Sequence, residues 1–141
     1  GWGIGDYPTA IWLSSLGYAH CLPETMSAYR VNAKGSWTSS NAVSYSKVKF
    51  TNERIIHGLM QIDAYYQGKY ADSVSKGIDL LKDGITWAKI NCDFMHLDEE
   101  CDPISSEEWR GFLSRQNTQG KLKAFVKRYA PWLGYIYSNV R

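Results

Sequence analysis

The sequence predicts a single, mainly α-helical domain. The chain has 141 residues, of which 44% are hydrophobic and 21% are charged, so it can bury a core and is not typical of disorder. Apolar residues recur at helical spacing in several stretches, whereas the stretch between Ser36 and Thr51 shows some alternation of apolar residues but no clean period. We therefore expect one domain over residues 1–141, with five or six helices and either a long loop or a small β excursion at 36–51.

Proline and glycine mark the first two predicted helices. Pro8 precedes an apolar face over residues 10–16, and Gly17 follows it, as is typical of a helix with proline near its first turn. The second predicted helix is Pro23–Lys34, and Gly35 ends it.

Three further helices are predicted in the second half of the chain. The clearest is amphipathic, and its apolar face consists of Val74, Ile78, Leu81, Ile85 and Ala88. The segment Ser105–Glu108 has the form of a capping box and begins the next helix, which continues through Leu113. A polar turn over residues 116–120 separates it from a last helix, which Pro131 ends. The apolar face of that last helix is Leu122, Phe125, Val126 and Tyr129.

Composition and charge exclude several classes of function. A net charge of +2 is too small for a nucleic-acid-binding footprint, and no apolar run is long enough to span a bilayer. Six Trp and ten Tyr suit carbohydrate-binding faces as well as ordinary cores. No signal peptide is visible, which fits a mature chain, an excised domain or a cytosolic protein. We expect a monomer without a cofactor.

Two of the three cysteines bracket a polar loop. Cys92 and Cys101 either close a disulfide, which would contribute about 2–3 kcal/mol, or remain free buried thiols. Together with His96 they lack a recognised zinc spacing, so we expect no metal site. Our prediction is a Cys92–Cys101 bond, which an extracellular setting would favour, with Cys21 free and buried.

The most distinctive stretch is His57-Gly58-Leu59-Met60-Gln61-Ile62-Asp63, in which polar residues accompany a buried strip. A short buried strand or a helix start without a ligand is the alternative interpretation. The run resembles the Gly-Leu-Met-Gln-Val/Ile signature of goose-type lysozymes and lytic transglycosylases, glycoside hydrolase family 23. In the goose-type branch an Asp follows, as Asp63 does here.

Three other segments resemble this family in the same order along the chain. Leu22-Pro23 opens a helix, and Asn41-Ala42-Val43-Ser44 matches a segment that follows the catalytic region of the family. Near the C-terminus, Gln116–Gly120 keeps the Asn and a Gly of a family turn but lacks its Tyr. The resemblance covers roughly residues 20 to 121, and its central run is the most specific part.

This resemblance implies a lysozyme-like fold and a secreted or extracytoplasmic domain that acts on peptidoglycan or a chitin-like N-acetylhexosamine polymer. The Pro23–Lys34 helix, the 58–63 run and the turn at Asn117 would face one groove. Aromatic planes would pack on sugar rings, and polar groups would hold the N-acetyl group and hydroxyls. The implied substrate-binding residues are Trp37, Met60, Gln61, Tyr65 and Asn117. Core packing is the alternative role for the aromatic residues.

The family's catalytic Glu has no counterpart in this sequence. Lys34 or Gly35 stands at that position, and neither can act as a carboxylic acid with a raised pKa. Glu53 is the candidate for a base or a relocated acid, and a surface Glu paired with Arg54 or Lys49 is the alternative. We therefore expect weak or absent β-1,4 glycosidic cleavage. The other hypotheses are an inactive sugar-binding module and an unrelated small secreted helical effector.

Overall fold

The structure, a computed structural model, describes residues 6–18, 20, 23, 44–95 and 101–133. These residues contain no strand and five helices, so the predicted mainly α fold is confirmed for them. The helices are α1 (Asp6–Leu16), α2 (Tyr45–Tyr65), α3 (Ala71–Met95), α4 (Ser106–Arg115) and α5 (Thr118–Tyr129). The predicted Pro23–Lys34 helix lies outside the described residues except for Pro23.

Residues 45–51, in the stretch predicted as a loop or a β excursion, are the first turns of α2 instead. Ser44 caps this helix, because its side chain accepts a hydrogen bond from the backbone N–H of Lys47. The inward-facing Tyr45 and the half-buried Val48 and Asn52 are three and four residues apart, which is helical spacing. The rest of the stretch, over 36–43, lies outside the described residues.

A tight connection over residues 66–70 reverses the chain between α2 and α3. Gln67 and Gly68 both have left-handed backbone conformations, with φ of 53° and 76°. The N–H of Gly68 donates to the carbonyl of Asp63 over 2.9 Å, which satisfies the end of α2. The two helices therefore run antiparallel.

Two glycines of α3 let α2 approach closely. A Cβ atom at Gly84 would lie 2.9 Å from Nδ2 of Asn52, and one at Gly77 would lie 3.4 Å from Cδ1 of Leu59. Both pairs are seven residues apart along their helices, so the contact repeats after two turns. The Asn52 side-chain amide also donates to the backbone carbonyl of Leu81 over 2.9 Å, which links α2 to α3.

The core lies where α3, α4 and α5 meet. Its buried residues are Ile90, Trp109, Phe112 and Ala124, and Trp87, Ile104 and Leu113 pack against them. One of the two hydrogen bonds of the predicted capping box is confirmed, since the Ser105 side chain accepts from the backbone N–H of Glu108. The Glu108 carboxylate instead bonds to Thr86 and Lys89 of α3, at 2.9 and 3.0 Å. It therefore docks α4 on α3.

A second polar contact holds the other end of α4. Asp83 is only 7% exposed, and one of its oxygens accepts from the guanidinium of Arg115 while the other accepts from the Gln116 amide. Asp83 raises the pKa of Arg115, chiefly through this hydrogen bond. A buried carboxylate is costly without such partners, so this pair of helices has one favourable register.

The last helix begins earlier than the sequence predicts. Residues 118–120 of the predicted polar turn are the first turn of α5, and Asn117 is its N-cap. An Asn followed by polar residues is equally typical of a turn and of a cap, because its side chain bonds to the backbone two or three residues on in both. The helix ends at Tyr129, shortly before Pro131, as predicted.

The predicted disulfide joins Cys92, at the end of α3, to Cys101. The adjacent Asp102 accepts hydrogen bonds from Tyr45 and Lys49 at the start of α2. Burial, followed by the bond to Asp102, raises the pKa of Tyr45 to about 12. The bond from Lys49, followed by that from Tyr45, lowers the pKa of Asp102. Cys21 lies outside the described residues.

Substitution of the two interface glycines tests the close approach of α2 and α3. Gly77→Ala should be neutral or stabilise by up to about 1 kcal/mol, because alanine favours helix and its Cβ meets only an ordinary contact. Gly84→Ala has the same propensity gain but displaces Asn52 from Leu81, so it should be less stable than Gly77→Ala by about 1 kcal/mol or more. Urea unfolding followed by circular dichroism measures both, and equal stabilities would contradict the proposed contact.

Thiol titration tests the cysteine assignment. Unfolded, unreduced protein should give one free thiol, from Cys21, and three after reduction. The double variant Cys92→Ser/Cys101→Ser should lose about 2–3 kcal/mol of stability, because the unfolded chain regains the entropy of the open loop. Three free thiols before reduction would show that the bond is absent in solution.

Candidate functional site

The candidate site is the outer face of α2, which consists of Glu53, His57, Met60, Gln61 and Tyr65. All five side chains are exposed, including 58% of Met60 and 79% of Tyr65. Glu53, His57, Gln61 and Tyr65 follow one another at intervals of four residues, and Met60 lies three residues after His57, so the five form one stripe along the helix. From Glu53 to Gln61 the stripe is about 12 Å long at 1.5 Å per residue.

The helical period divides the distinctive run between two sides of α2. Gly58, Leu59 and Ile62 are buried, and Leu59 contacts α3 at Gly77. The residues between them face outward, because successive positions on a helix differ by about 100°. The run is therefore neither a strand nor a helix start, and lies in the second half of a 21-residue helix.

A hydrogen bond organises the polar centre of this face. Nε2 of the Gln61 amide lies 3.1 Å from Nε2 of His57, one turn earlier. The bond restricts both side chains, and it leaves the Gln61 carbonyl oxygen and the second ring nitrogen of His57 with capacity for a ligand.

Glu53 is an exposed residue one turn before His57. It has a favourable electrostatic interaction with Lys49, whose pKa is raised chiefly by Asp102 and to a smaller extent by Glu53. This matches the alternative that the sequence left open, a surface carboxylate near a lysine. An exposed helix face also lacks the apolar enclosure that keeps a catalytic carboxylic acid protonated in lysozyme-type sites.

The rings of Tyr65, the last residue of α2, and of Tyr66, which follows it, are perpendicular. Their centroids are 5.0 Å apart, and Tyr66 also meets Tyr70 edge-on at 5.4 Å. The hydroxyl of Tyr66 donates to Ser15 of α1 over 2.6 Å. Tyr66 therefore has a packing role, while Tyr65 presents its ring to solvent.

Asn117 has a structural role in the described residues. Its side-chain oxygen accepts from the N–H of Gly120 over 2.7 Å, which caps α5. The structure records no contact between it and the outer face of α2, so the predicted shared groove stays a prediction. Trp37 and the Lys34–Gly35 position lie outside the described residues.

Sequence reasoning missed a cavity on the inner side of the same run. It has a volume of about 260 Å³ and lies between α1, α2 and α3. Its lining residues are Ser14, Ser15, Leu59, Ile62, Tyr66, Tyr70, Ser73, Val74 and Gly77. Ligand pockets commonly have about 300–1,000 Å³, so this one is below that range. The serines lie on two helices that are far apart in the sequence, α1 and α3, and no local pattern links them.

Asp63, which matches the family run, is half-buried, and its Oδ1 has no hydrogen-bond partner among the residues that the structure describes. Within the same residues, no three His, Cys, Asp or Glu side chains are grouped as metal ligands would be. No helix of the described ranges is both long enough and apolar enough to cross a bilayer.

Comparison of the chain with protein-family models, curated proteins and solved structures gives no match. The assignment of function therefore depends on the geometry of the chain itself and on the sequence resemblance described above.

Variants at Asn117 separate a capping role from a binding role. Asn117→Ala should lower the free energy of unfolding by about 1 kcal/mol, whereas Asn117→Ser should retain most of it, because serine also accepts the Gly120 N–H. Urea unfolding measures this difference. If Asn117→Ala left stability unchanged, the cap would contribute nothing and a ligand role would become the better explanation for this residue.

Proposed function

We propose that this protein is a non-catalytic domain that binds a β-1,4-linked N-acetylhexosamine polymer, peptidoglycan or chitin, through the outer face of α2. The observation that carries the proposal is that Met60, Gln61 and Tyr65, three of the residues that the family resemblance implies for sugar binding, are exposed on one helix.

The chemistry of this face suits a pyranose ring and its substituents. The Tyr65 ring is 79% exposed, and its edge contact with Tyr66 holds it in place. The C–H face of a sugar can pack on such an aromatic plane. The bonded pair of His57 and Gln61 offers donors and acceptors for hydroxyl and N-acetyl groups.

The environment of Glu53 supports binding without cleavage. Glycosidic cleavage needs a carboxylic acid that stays protonated at neutral pH, which burial in an apolar site achieves. Glu53 is exposed on the outside of a helix and interacts with Lys49. The position that carries the acid in the family is Lys34 or Gly35 in this chain.

A secreted or extracytoplasmic location belongs to the same proposal. The Cys92–Cys101 disulfide supports it, because such bonds persist in oxidising compartments and are rare in reducing ones. Insoluble polymers of N-acetylhexosamines are found in such compartments, in cell walls and matrices.

The test is cosedimentation of the protein with insoluble peptidoglycan and with chitin. Tyr65→Ala and Gln61→Ala should each weaken retention, with about ten-fold lower affinity for Tyr65→Ala, which corresponds to ~1.4 kcal/mol. Tyr129→Ala is the matched control, because Tyr129 is 63% exposed on a different helix. Circular dichroism verifies that each variant is folded.

Two outcomes would contradict the proposal. Clear lysis of peptidoglycan in a zymogram, abolished by Glu53→Gln, would show a glycosidase with Glu53 as its acid or base. Absence of binding to both polymers, with the protein folded, would favour the unrelated helical effector instead.

A further inference from the structure

We propose that α5 is an interfacial helix that binds the surface of a bilayer containing anionic phospholipids. Five large apolar or aromatic side chains lie on or directly after this helix and face solvent. These side chains, which we call the α5 stripe, are Leu122 (67% exposed), Phe125 (43%), Val126 (40%), Tyr129 (63%) and Trp132 (60%).

The α5 stripe is exposed because α5 packs through a different side. Ala124 is fully buried in the core cluster with Ile90 of α3 and with Trp109 and Phe112 of α4. With about 100° per residue, the stripe covers an arc of about 120°, roughly opposite Ala124. A helix of a globular protein normally buries an apolar face at least 100° wide, whereas the α5 stripe is exposed to solvent.

The aromatic part of the stripe is held in place by ring contacts. Phe125 stacks on Tyr129 with centroids 5.6 Å apart, and both meet the buried Trp109 edge-on, at 5.5 and 6.3 Å. The rings are thus supported from below, so a ligand meets a preformed apolar surface.

The charges of α5 select an anionic occupant. The helix has four cationic residues, Lys121, Lys123, Lys127 and Arg128, and no acidic one. Lys121 and Lys123 are exposed and border the stripe on its two sides. An apolar face with lysines along its borders and amphipathic Tyr and Trp side chains is typical of helices that lie in the headgroup region.

A second copy of the chain fits this surface less well. Pairing two α5 stripes would bring the bordering lysines of both copies together without any acidic residue on the helix to compensate them. Anionic headgroups provide that compensation for Lys121 and Lys123 of the one copy.

The experiment is cosedimentation of the full chain with vesicles of phosphatidylcholine alone and of phosphatidylcholine mixed with phosphatidylserine. Binding should require phosphatidylserine and should weaken as salt is raised. A blue shift of tryptophan emission should accompany binding, and it should decrease in Trp132→Phe.

Two variants and their matched controls test the named contacts. Leu122→Ser should weaken binding at least ten-fold, whereas Leu80→Ser, at a leucine 73% exposed on α3, should not. Lys121→Gln/Lys123→Gln should weaken binding roughly 25-fold. Its control, Lys76→Gln/Lys82→Gln, removes two exposed lysines from α3 and should bind like the unmodified protein.

Several results would overturn this proposal. These are failure to bind the mixed vesicles, equal binding to neutral vesicles, or Leu122→Ser behaving like Leu80→Ser. A dimer in sedimentation analysis that Leu122→Ser dissociates would assign the stripe to a second copy. Tyr65→Ala should leave vesicle binding intact, so failure of the sugar proposal and failure of this one are distinguishable.

Discussion

The close contact between α2 and α3 determines which residues of α2 face solvent. Gly77 and Gly84 of α3 leave room for Leu59 and Asn52, and the bond from Asn52 to the Leu81 carbonyl fixes the rotation of α2 at this contact. A helix turned by one residue, about 100°, would direct a different set of side chains inward. The outer face of α2 exists as a continuous surface because its opposite side is held by these small residues.

The buried polar groups of α3 have a comparable effect on α4. Thr86 and Lys89 bind Glu108 at the start of α4, and Asp83 binds Arg115 at its end. Each of these three α3 residues is at most 9% exposed, so a shift of one turn would leave polar groups buried without partners. Apolar packing alone tolerates such shifts more easily, which is why these contacts define a single antiparallel register.

Local signals explain which elements could be predicted from the sequence. Some helix signals depend only on residues close together in the sequence, and the helices that they predict are present. These signals are Gly17, the Ser105 cap, the apolar face of α3 and Pro131. The first turns of α2 have one local signal, the Ser44 cap, but the alternating apolar residues around it favour a strand, and the partner of Asn52 lies 29 residues away. The same reason applies to Glu108, whose pattern indicates a cap while its carboxylate binds another helix. In the candidate site, Met60, Gln61 and Tyr65 are exposed because α3 packs on the other side of α2. The sequence period of α2 alone does not show which side α3 covers.

The last helix shows that an apolar period identifies a face but not what covers it. The period of Leu122, Phe125 and Tyr129 is the one expected of a core-facing helix, yet Ala124 is the fully buried residue. Polar contacts on the side of Ala124 explain this orientation. Lys127 donates to Asn91 and lies 4.9 Å from the centroid of the Phe94 ring, and burial, followed by the charge of Lys123, lowers its pKa.

Arg128 adds to this restraint, since its guanidinium lies 4.5 Å from the centroid of the Trp109 ring and donates to the carbonyl of Ile104. Turning the α5 stripe inward would break these contacts and would replace Ala124 with larger side chains at a site where Phe112 is already fully buried. Overpacking of that kind costs about 1–3 kcal/mol, in addition to the lost hydrogen bonds and cation–π contacts. The exposure of the stripe is therefore a consequence of how the opposite side of α5 is bound, and folding of the described helices does not remove it.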